Sequence, residues 1–315
     1  MRKLILPVLL SSAMAWAADS SLANLLPGSP RMVAGLNMSQ SANSPLGRYL
    51  LNQMKDDDAG LRKFVDATGF DPRRDLRELI VASYDGASAT KSNTLVVAKG
   101  NFDAVRTRTA FLKDHTVSQM VGGFEILSGK DGEGAVAFLD PTTAVAGDLA
   151  QVKDALEARG RLAADMQARI AQMSTRYDAW IFTTTPMSSF SGKLGTDQPG
   201  AKALNGGQLL QGILQANGGV RFGNTVTMDA ELLARSPKDA QALVEVFKFV
   251  TSMLQLGKEN PEAKSEGIAA LLEGMKIGTS GNTVTLNFSV PEIELERILE
   301  TGKGLQKKSA RPAVI

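Results

Sequence analysis

The chain has 315 residues, of which 43% are hydrophobic, so it is long enough to bury a sizeable core. It contains no cysteine, which excludes disulfides, thiol catalysis and cysteine-ligated iron–sulfur clusters. The 35 Lys and Arg nearly balance the 33 Asp and Glu, which excludes the strongly basic footprint of a nucleic-acid-binding protein.

The first residues carry the three parts of a secretory signal peptide. Arg2 and Lys3 form a positive region, an apolar run extends from Leu4 to about Met14, and the sequence "AWA" fits a cleavage site. We therefore predict a signal peptide over residues 1–17 and export to the periplasm or the cell exterior. Cleavage would leave a mature chain with 33 basic and 33 acidic residues. The alternatives are an uncleaved anchor or a buried N-terminal helix, although a spanning helix needs roughly 20 apolar residues.

Residues 18–160 are predicted to form a first α+β half. A strand at Arg31–Asn37 precedes two helices, of which the first has Ser44 as its N-cap and Pro45 at its first position. Gly69 ends the second helix, and the charged residues Asp71–Asp75 are interpreted as a turn or N-cap. The elements that follow are the strands "LIVASY" and "NTLVVAKG", a helix in "FDAVRTRTAFLKDH", the strands "GFEILSG", "GAVAFLD" and "TTAVAGD", and a helix in "DLAQVKDALEARG".

Residues 161–302 are predicted to form a second half, and residues 303–315 a flexible basic tail. The order of elements is similar to that of the first half, which suggests an internal repeat. In chain order they are the strand "DAWIFTTTP", a short helical piece "QLLQGILQ", the strand "TVTMDAELLA", a helix in "SPKDAQALVEVFKFVTSMLQLG", the hairpin strands "GMKIG" and "TVTLNFSV", and a helix in "PEIELERILETG". Ser236 is predicted to open the long helix and Gly257 to close it.

The best-defined strands alternate between apolar and polar residues. In Thr283–Val290 the apolar residues all point to one face, and Thr225–Leu232 has the same alternation. This pattern is typical of antiparallel sheets with one buried and one wet face. We therefore predict an α+β fold with two similar halves, each an antiparallel sheet with helices packed on one face.

Few residues could carry chemistry. The only histidine, His115, lies in a polar context at a predicted helix end. Ser88 and Lys91 have S-x-x-K spacing but lie in a short turn without the partner motifs of penicillin-recognising enzymes. The acidic run Asp56–Asp58 lacks the spacing of an EF-hand and is interpreted as a solvated turn or N-cap. We therefore expect no catalytic residue, no cofactor and no metal site.

Two further patterns are interpreted as purely structural. "GFEILSGKDG" resembles a phosphate-binding loop, but five residues separate Gly123 from Gly129, and Asp131 stands where Ser or Thr is needed. The acidic residues of the last helix are predicted to lie on an exposed face: Glu292, Glu294, Glu296 and Glu300.

The segment Thr183–Gly207 is the least regular part of the chain. It is long and rich in Gly, Ser and Pro, and loops of this kind are either functional or disordered. Met187, Phe190 and Lys193 are candidates for contact with a partner. A plain flexible loop is the alternative.

The pentapeptide "GNTVT" occurs at Gly223–Thr227 and again at Gly281–Thr285. We interpret it as a strand entry in which Gly-Asn turns the chain. For the first copy, the hydrophobic pattern requires an odd loop of three or five residues. For the second copy it predicts a four-residue loop, Thr279–Asn282, with Lys276 facing Thr285.

The order of "RMVAGLN", "TGFDPRRDL", "VVAKGNFD", "AVAFLDPTTAVAGD" and "VKDALEARG" resembles that of uncharacterised secreted bacterial proteins that carry α+β repeats. The resemblance covers most of residues 25–160 and the second half only loosely. It implies no activity and no binding residue.

The leading expectation is an exported, non-catalytic protein with a binding, interaction or structural role in the cell envelope or outside the cell. It would bind a ligand or a partner, the latter being an unknown protein or an envelope component. One alternative is a carrier of an apolar ligand in a groove between the halves. Another is a hydrolase whose Asp and Glu residues converge only in space. A dry cavity of roughly 300 Å³ or more favours the carrier, whereas two carboxylates about 5–10 Å apart in a cleft favour the hydrolase.

Overall fold

The computed structural model describes residues 22–53, 59–85, 92–112, 116–129, 134–157, 162–189, 210–256 and 274–295. The predicted signal peptide and basic tail lie outside these residues. The strands are β1 (Met32–Asn37), β2 (Leu76–Asp85), β3 (Ser92–Gly100), β4 (Val117–Val121), β5 (Phe124–Ser128), β6 (Ala135–Asp140), β7 (Thr143–Gly147), β8 (Ala179–Thr183), β9 (Ile213–Arg221), β10 (Thr225–Ala234), β11 (Lys276–Ser280) and β12 (Thr283–Pro291).

The α-helices connect and cover these strands. They are α1 (Met38–Ser41), α2 (Pro45–Gln53), α3 (Ala59–Thr68), α4 (Pro72–Asp75), α5 (Ala104–Leu112), α6 (Leu149–Glu157), α7 (Ala164–Arg176) and α8 (Pro237–Leu256). Within the described ranges, no helix is both long and apolar enough to cross a membrane.

The twelve strands of the described residues all belong to one antiparallel sheet. Their order across the sheet is β11-β12-β10-β9-β8-β1-β2-β3-β7-β6-β5-β4, and every neighbouring pair is antiparallel. The predicted α+β class and the antiparallel sheet are therefore confirmed.

The sheet is continuous where the sequence suggests two separate sheets. β1 pairs with β8, so that Val33 lies opposite Phe182 and Gly35 lies opposite Trp180. The Trp180 ring fills the space over Gly35, where a Cβ atom would lie only 2.3 Å from the ring. This packing joins the two parts of the chain at the centre of the sheet.

Helices pack on both faces of the sheet, which differs from the expected single covered face. In β3, Leu95 and Val97 share a hydrophobic cluster with Val152 of α6. The alternate residues Val96 and Ala98 face a cavity bounded by α5. Because successive strand residues point to opposite faces, α5 and α6 lie on opposite sides. By the strand registers, α7 shares the face of α6, whereas α8 shares the face of α5.

In the part of the chain that the structure describes, the apolar core forms two clusters. The larger one lies mainly between α6, α7 and the sheet, and it contains residues from both sides of the β1–β8 junction, such as Ile80 and Phe182. The smaller one lies under α8 and includes Leu243, Val244 and Val284. Two helices, α6 and α8, thus bury an apolar stripe of their own sequence.

Several predicted helix ends are confirmed by the contacts at the caps. Ser44 Oγ accepts a hydrogen bond from Gly47 N at 2.8 Å, and α2 begins with Pro45. α3 ends at Thr68, and Gly69 follows with a positive φ of 76°. At α8, Ser236 Oγ accepts from the backbone N–H of Asp239.

Several elements differ from the sequence-based prediction or were absent from it. "QLLQGILQ", predicted to be helical, contains only the 3-10 turn Leu210–Gly212 before β9 begins at Ile213. The sequence patterns predict neither β4 nor α7. The sequence patterns do not predict β9 either, because Gly218 and Gly219 interrupt its apolar pattern. In the structure, both glycines allow neighbouring groups to pack closely against the strand.

The first copy of GNTVT leads into β10. β9 ends at Arg221 and β10 begins at Thr225, so the three residues Phe222–Asn224 form the connection. This connection has the odd length that the hydrophobic pattern requires. Asn224 is exposed and lines neither of the two cavities described below.

The second copy forms a tighter turn than predicted. Thr279 pairs with Val284 and Ser280 pairs with Thr283, which leaves only Gly281 and Asn282 in the turn. The predicted four-residue loop is therefore wrong, and Lys276 lies opposite Asn287 instead of Thr285. The positive φ of Gly281, 59°, is the backbone conformation that such a short hairpin turn requires.

Candidate functional site

The main cavity lies between the sheet and the pair of helices α3 and α5. Its volume is about 710 Å³, within the range of roughly 300–1,000 Å³ that is typical of ligand pockets. Its lining residues run from Phe64 to Gly147, so the cavity lies within the first half of the chain. The carrier alternative had placed a groove between the halves.

Aromatic rings form one continuous side of this cavity. Phe64 meets Phe70 edge to face with ring centroids 6.3 Å apart, and Phe70 stacks on Phe102 at 5.0 Å. Phe102 continues to Phe138 at 5.8 Å. Phe111 of α5 also lines the cavity. The rings hold one another in place, because such pairs gain about 0.5–1.5 kcal/mol beyond their buried area.

Small residues on the sheet leave the space open. Ala98 of β3 lies opposite Ala144 of β7, and Val96 lies opposite Ala146. These side chains form the floor of the cavity below α5. A floor built largely of alanine cannot reach the helices above it, which explains why the volume is not filled.

The described lining is almost free of polar groups. It contains no charged side chain, and its hydroxyl groups come from Thr68, Thr107 and Thr116. Thr68 Oγ1 donates to Phe64 O at 2.7 Å, and Thr116 Oγ1 donates to Phe111 O at 2.6 Å. These two hydroxyls satisfy nearby backbone groups, so the surface offered to a ligand is apolar.

Arg106 ties the two covering helices together. Its guanidinium Nη2 donates to Asp66 O of α3 at 2.6 Å and packs against Gly69. The positive φ of Gly69, 76°, favours glycine at this position, and the Arg106 guanidinium packs against it. Arg106 therefore sets the position of α3 over the cavity.

The charged stretch after α3 is structural, as the sequence predicts. Asp71 accepts from the backbone N–H of Arg73 at 3.0 Å and from its guanidinium, while Asp75 accepts from the guanidinium of Arg74. The hydrogen bonds from Arg73 and Arg74 hold the pKa values of Asp71 and Asp75, respectively, below their usual range. This network fixes the start of β2, which supplies the cavity wall.

A second, more polar cavity adjoins the first. It has a volume of about 440 Å³ and shares Phe102 with the main cavity. Arg74, Asn101 and Asp103 are among its lining residues. A molecule in the apolar cavity could therefore place a polar end beside Phe102.

The predicted interaction loop is described only at its start. Met187 is half-buried and packs against the cluster under α8, while Phe190 and Lys193 lie outside the described residues. Partner contact through this loop stays a prediction. Most of the rejected candidates also lie outside the described residues, namely Asp56–Asp58, Ser88, Lys91, His115, Lys130 and Asp131.

The prediction that Glu292 lies on an exposed face of the last helix is wrong. Only 4% of Glu292 is exposed, and its carboxylate accepts a hydrogen bond from the backbone N–H of Leu46 at the start of α2. The contact joins residues 246 positions apart, so helical spacing alone could not reveal it. A carboxylate here also complements the positive end of the helix dipole.

Sequence reasoning did not identify the cavity. Five of the twelve phenylalanines in the chain line it, but they come from different elements and loops. The sequence signal that could have indicated the cavity is the set of small residues on one face of β3 and β7. In a packed core, larger apolar side chains usually occupy such positions. Among the described residues, no group of three or more His, Asp or Glu could hold a metal ion.

No protein-family model and no curated protein matches the chain. A solved structure, crystal form III of TP0453, is similar, with a TM-score of 0.51 and 10% identity over 88% of this chain and 96% of that chain. Crystal form I has a TM-score of 0.49 and 11% identity over 90% of this chain and 98% of that chain. The first likeness supports the α+β fold alone, because the identity is too low to carry a function.

Proposed function

We propose that this chain is an exported, non-catalytic binding protein that holds a molecule with an apolar body. The observation that carries the proposal is the cavity of about 710 Å³ between the sheet and α3 and α5. The signal-peptide pattern of residues 1–17 supports export. The proposal selects the carrier alternative and moves its site from a groove between the halves into the first half.

The chemistry of the lining favours an apolar ligand over a polar one. A polar ligand would lose its hydrogen bonds to water and find few replacements, because the described wall consists of Phe, Ala, Val, Leu and Gly with few hydroxyls. An apolar body would instead gain roughly 25 cal/mol for each Å² removed from water. The adjoining polar cavity favours an amphiphile whose polar end remains near Phe102.

Direct binding measurements test the proposal. We expect the purified chain to enhance the fluorescence of N-phenylnaphthylamine and of a dansylated fatty acid, and a tighter complex with the fatty acid would support an amphiphile. Native mass spectrometry of protein from its own host should also show a co-purifying small molecule.

Variants with larger side chains on the cavity floor test whether the cavity is the binding site. Ala98→Leu and Ala146→Leu each place a larger side chain in the cavity, and we expect each to weaken probe binding at least tenfold, about 1.4 kcal/mol. Ala150→Leu, at an exposed position of α6, is the matched control and should bind like the original chain. Unchanged probe binding in both filled variants, with their circular dichroism intact, would place the probe elsewhere and contradict the proposal.

A further inference from the structure

β4 forms one edge of the sheet as far as the structure describes it. Edge strands expose unpaired backbone groups, and proteins usually protect them with charged residues, proline or bulges. β4 has the sequence "VSQMV", without charge or proline, and its pairing with β5 is regular over all five residues. Two of its apolar side chains are exposed, Val117 at 45% and Met120 at 67%.

The turn after β4 determines which backbone groups point outward. Gly122 and Gly123 form a two-residue turn with φ values of 58° and 85°, as in a type I′ hairpin. The pair that closes such a turn, Val121 with Phe124, exchanges hydrogen bonds, and so does every second pair along the ladder. The N–H and C=O groups of Ser118 and Met120 therefore point to the open edge.

We propose that two copies of this chain pair through β4, antiparallel and centred on Gln119. In this register, Ser118 of one copy and the partner's Met120 each donate a backbone N–H to the other's C=O. The two-fold axis generates the same two hydrogen bonds between Met120 and the partner's Ser118. Val117 then lies beside the partner's Val121, and Gln119 lies beside its own copy. The two sheets would join into one that runs through both subunits.

The strand has a valine at each end, equally distant from Gln119, so a second copy can pair with it along its whole length. The two-fold registers centred on Ser118 or Met120 also align outward-pointing groups, but each places a valine beside glutamine. Only the register centred on Gln119 pairs all five residues of the strand and places valine beside valine. Such cross-strand pairs contribute about 0.2–1 kcal/mol each. The opposite edge, β11, differs because it begins with Lys276 and contains Gly278.

The absence of cysteine from the chain allows a position-specific test. In the proposed register, the two copies of residue 119 form a non-hydrogen-bonded pair with Cα atoms about 4.5 Å apart. This lies within the span of roughly 4.4–6.8 Å that a disulfide bridges. We expect Gln119→Cys to give a covalent dimer under mild oxidation, seen on a non-reducing gel.

Ser118→Cys is the control for the register. Residue 118 lies beside the partner's residue 120, so its two copies are offset by two positions and exceed the ~7 Å limit for a disulfide. We expect little cross-linking from this variant. Equal cross-linking of both variants, or none from Gln119→Cys, would overturn the proposed register.

A charge-swap experiment tests the interface without covalent chemistry. Gln119→Lys and Gln119→Glu each place like charges opposite each other, so each should raise the dimer dissociation constant at least tenfold in sedimentation analysis. A mixture of the two variants should restore the dimer, whereas misfolded variants would not. Thr279→Lys, on the opposite edge, should remain dimeric like the original chain. A monomeric original chain, or a dimer that Gln119→Lys leaves unchanged, would refute the inference.

Discussion

Two carboxylates near the start of β2, one buried and one half-buried, differ in what stabilises them. Asp75 is buried but has the guanidinium of Arg74 and the backbone N–H of Asp71 as donors, so its pKa is lowered. Glu78, which follows in β2, lies opposite Lys99, yet burial raises its pKa to about 7. The environment of each side chain, and not the residue type, therefore decides which carboxylate is charged near neutral pH.

Glu78 should make the stability of the fold depend on pH. Its ordinary pKa is 4.5 and its pKa in the folded chain is about 7, so between these values the folded state holds a proton that the unfolded state releases. The free energy of unfolding should therefore be highest below this interval and fall as the pH rises through it.

The Glu78→Gln variant tests this dependence. Because glutamine does not titrate, the free energy of unfolding should change less with pH across the interval, as measured by urea unfolding on either side of it. Glu125→Gln is a control whose pH dependence has the opposite sign. Arg108 lowers the pKa of Glu125, so the contribution of Glu125 to the free energy of unfolding is lost only when the pH falls into the acid range. A variant with an unaltered pH profile would show that Glu78 is not the titrating group.

At the level of elements, the glycines of the strands are packing positions. Gly35 of β1 receives the Trp180 ring, and Gly219 of β9 receives the ring of Tyr177. Tyr177 in turn donates to Asp229 of β10 at 3.2 Å. Glycine normally weakens a strand, but here it lets an aromatic ring lie directly against the backbone.

Gly219→Val should therefore destabilise the protein although valine favours strands. A Cβ atom at this position would lie 2.2 Å from Tyr177 Cγ, so the ring must move. We expect a loss of about 1–3 kcal/mol in the free energy of unfolding, the usual cost of overpacking. Gly223→Val is the comparison, because its Cβ would have only one neighbour, at 3.6 Å. Equal stability of the two variants would contradict this account of β9.

For the whole molecule, the β1–β8 junction is the decisive feature. Counted outward from it, the strands follow the orders β1-β2-β3-β7-β6-β5-β4 and β8-β9-β10-β12-β11. The duplication of the chain into residues 18–160 and 161–302 stays a prediction. The larger core cluster contains Val33 and Ile80 as well as Trp180 and Phe182, so it spans the junction.

Phe182→Ala should lower the free energy of unfolding of the whole fold. Phe182 is fully buried, stacks on Trp180 with centroids 5.8 Å apart and lies under Arg169, whose guanidinium carbon is 4.4 Å from the ring centre. Its truncation should cost about 3–5 kcal/mol. Because the cluster is shared, tryptophan fluorescence and far-ultraviolet circular dichroism should still report one common transition. Phe249→Ala, at a position that is 64% exposed, should have little effect, and two separate transitions would argue against a shared core.

The sequence alone determined the features that depend on neighbours along the chain. Alternation in Thr283–Val290 predicted an antiparallel strand, and Ser44, Gly69 and Ser236 marked helix ends, because these signals act over a few residues. The tertiary structure alone decided the β1–β8 junction, the burial of Glu292 and the cavity below α5. Each of these features depends on groups that are far apart in the chain and meet only when the strands pair and the helices pack on the sheet. A pattern of neighbouring residues carries no information about such long-range contacts.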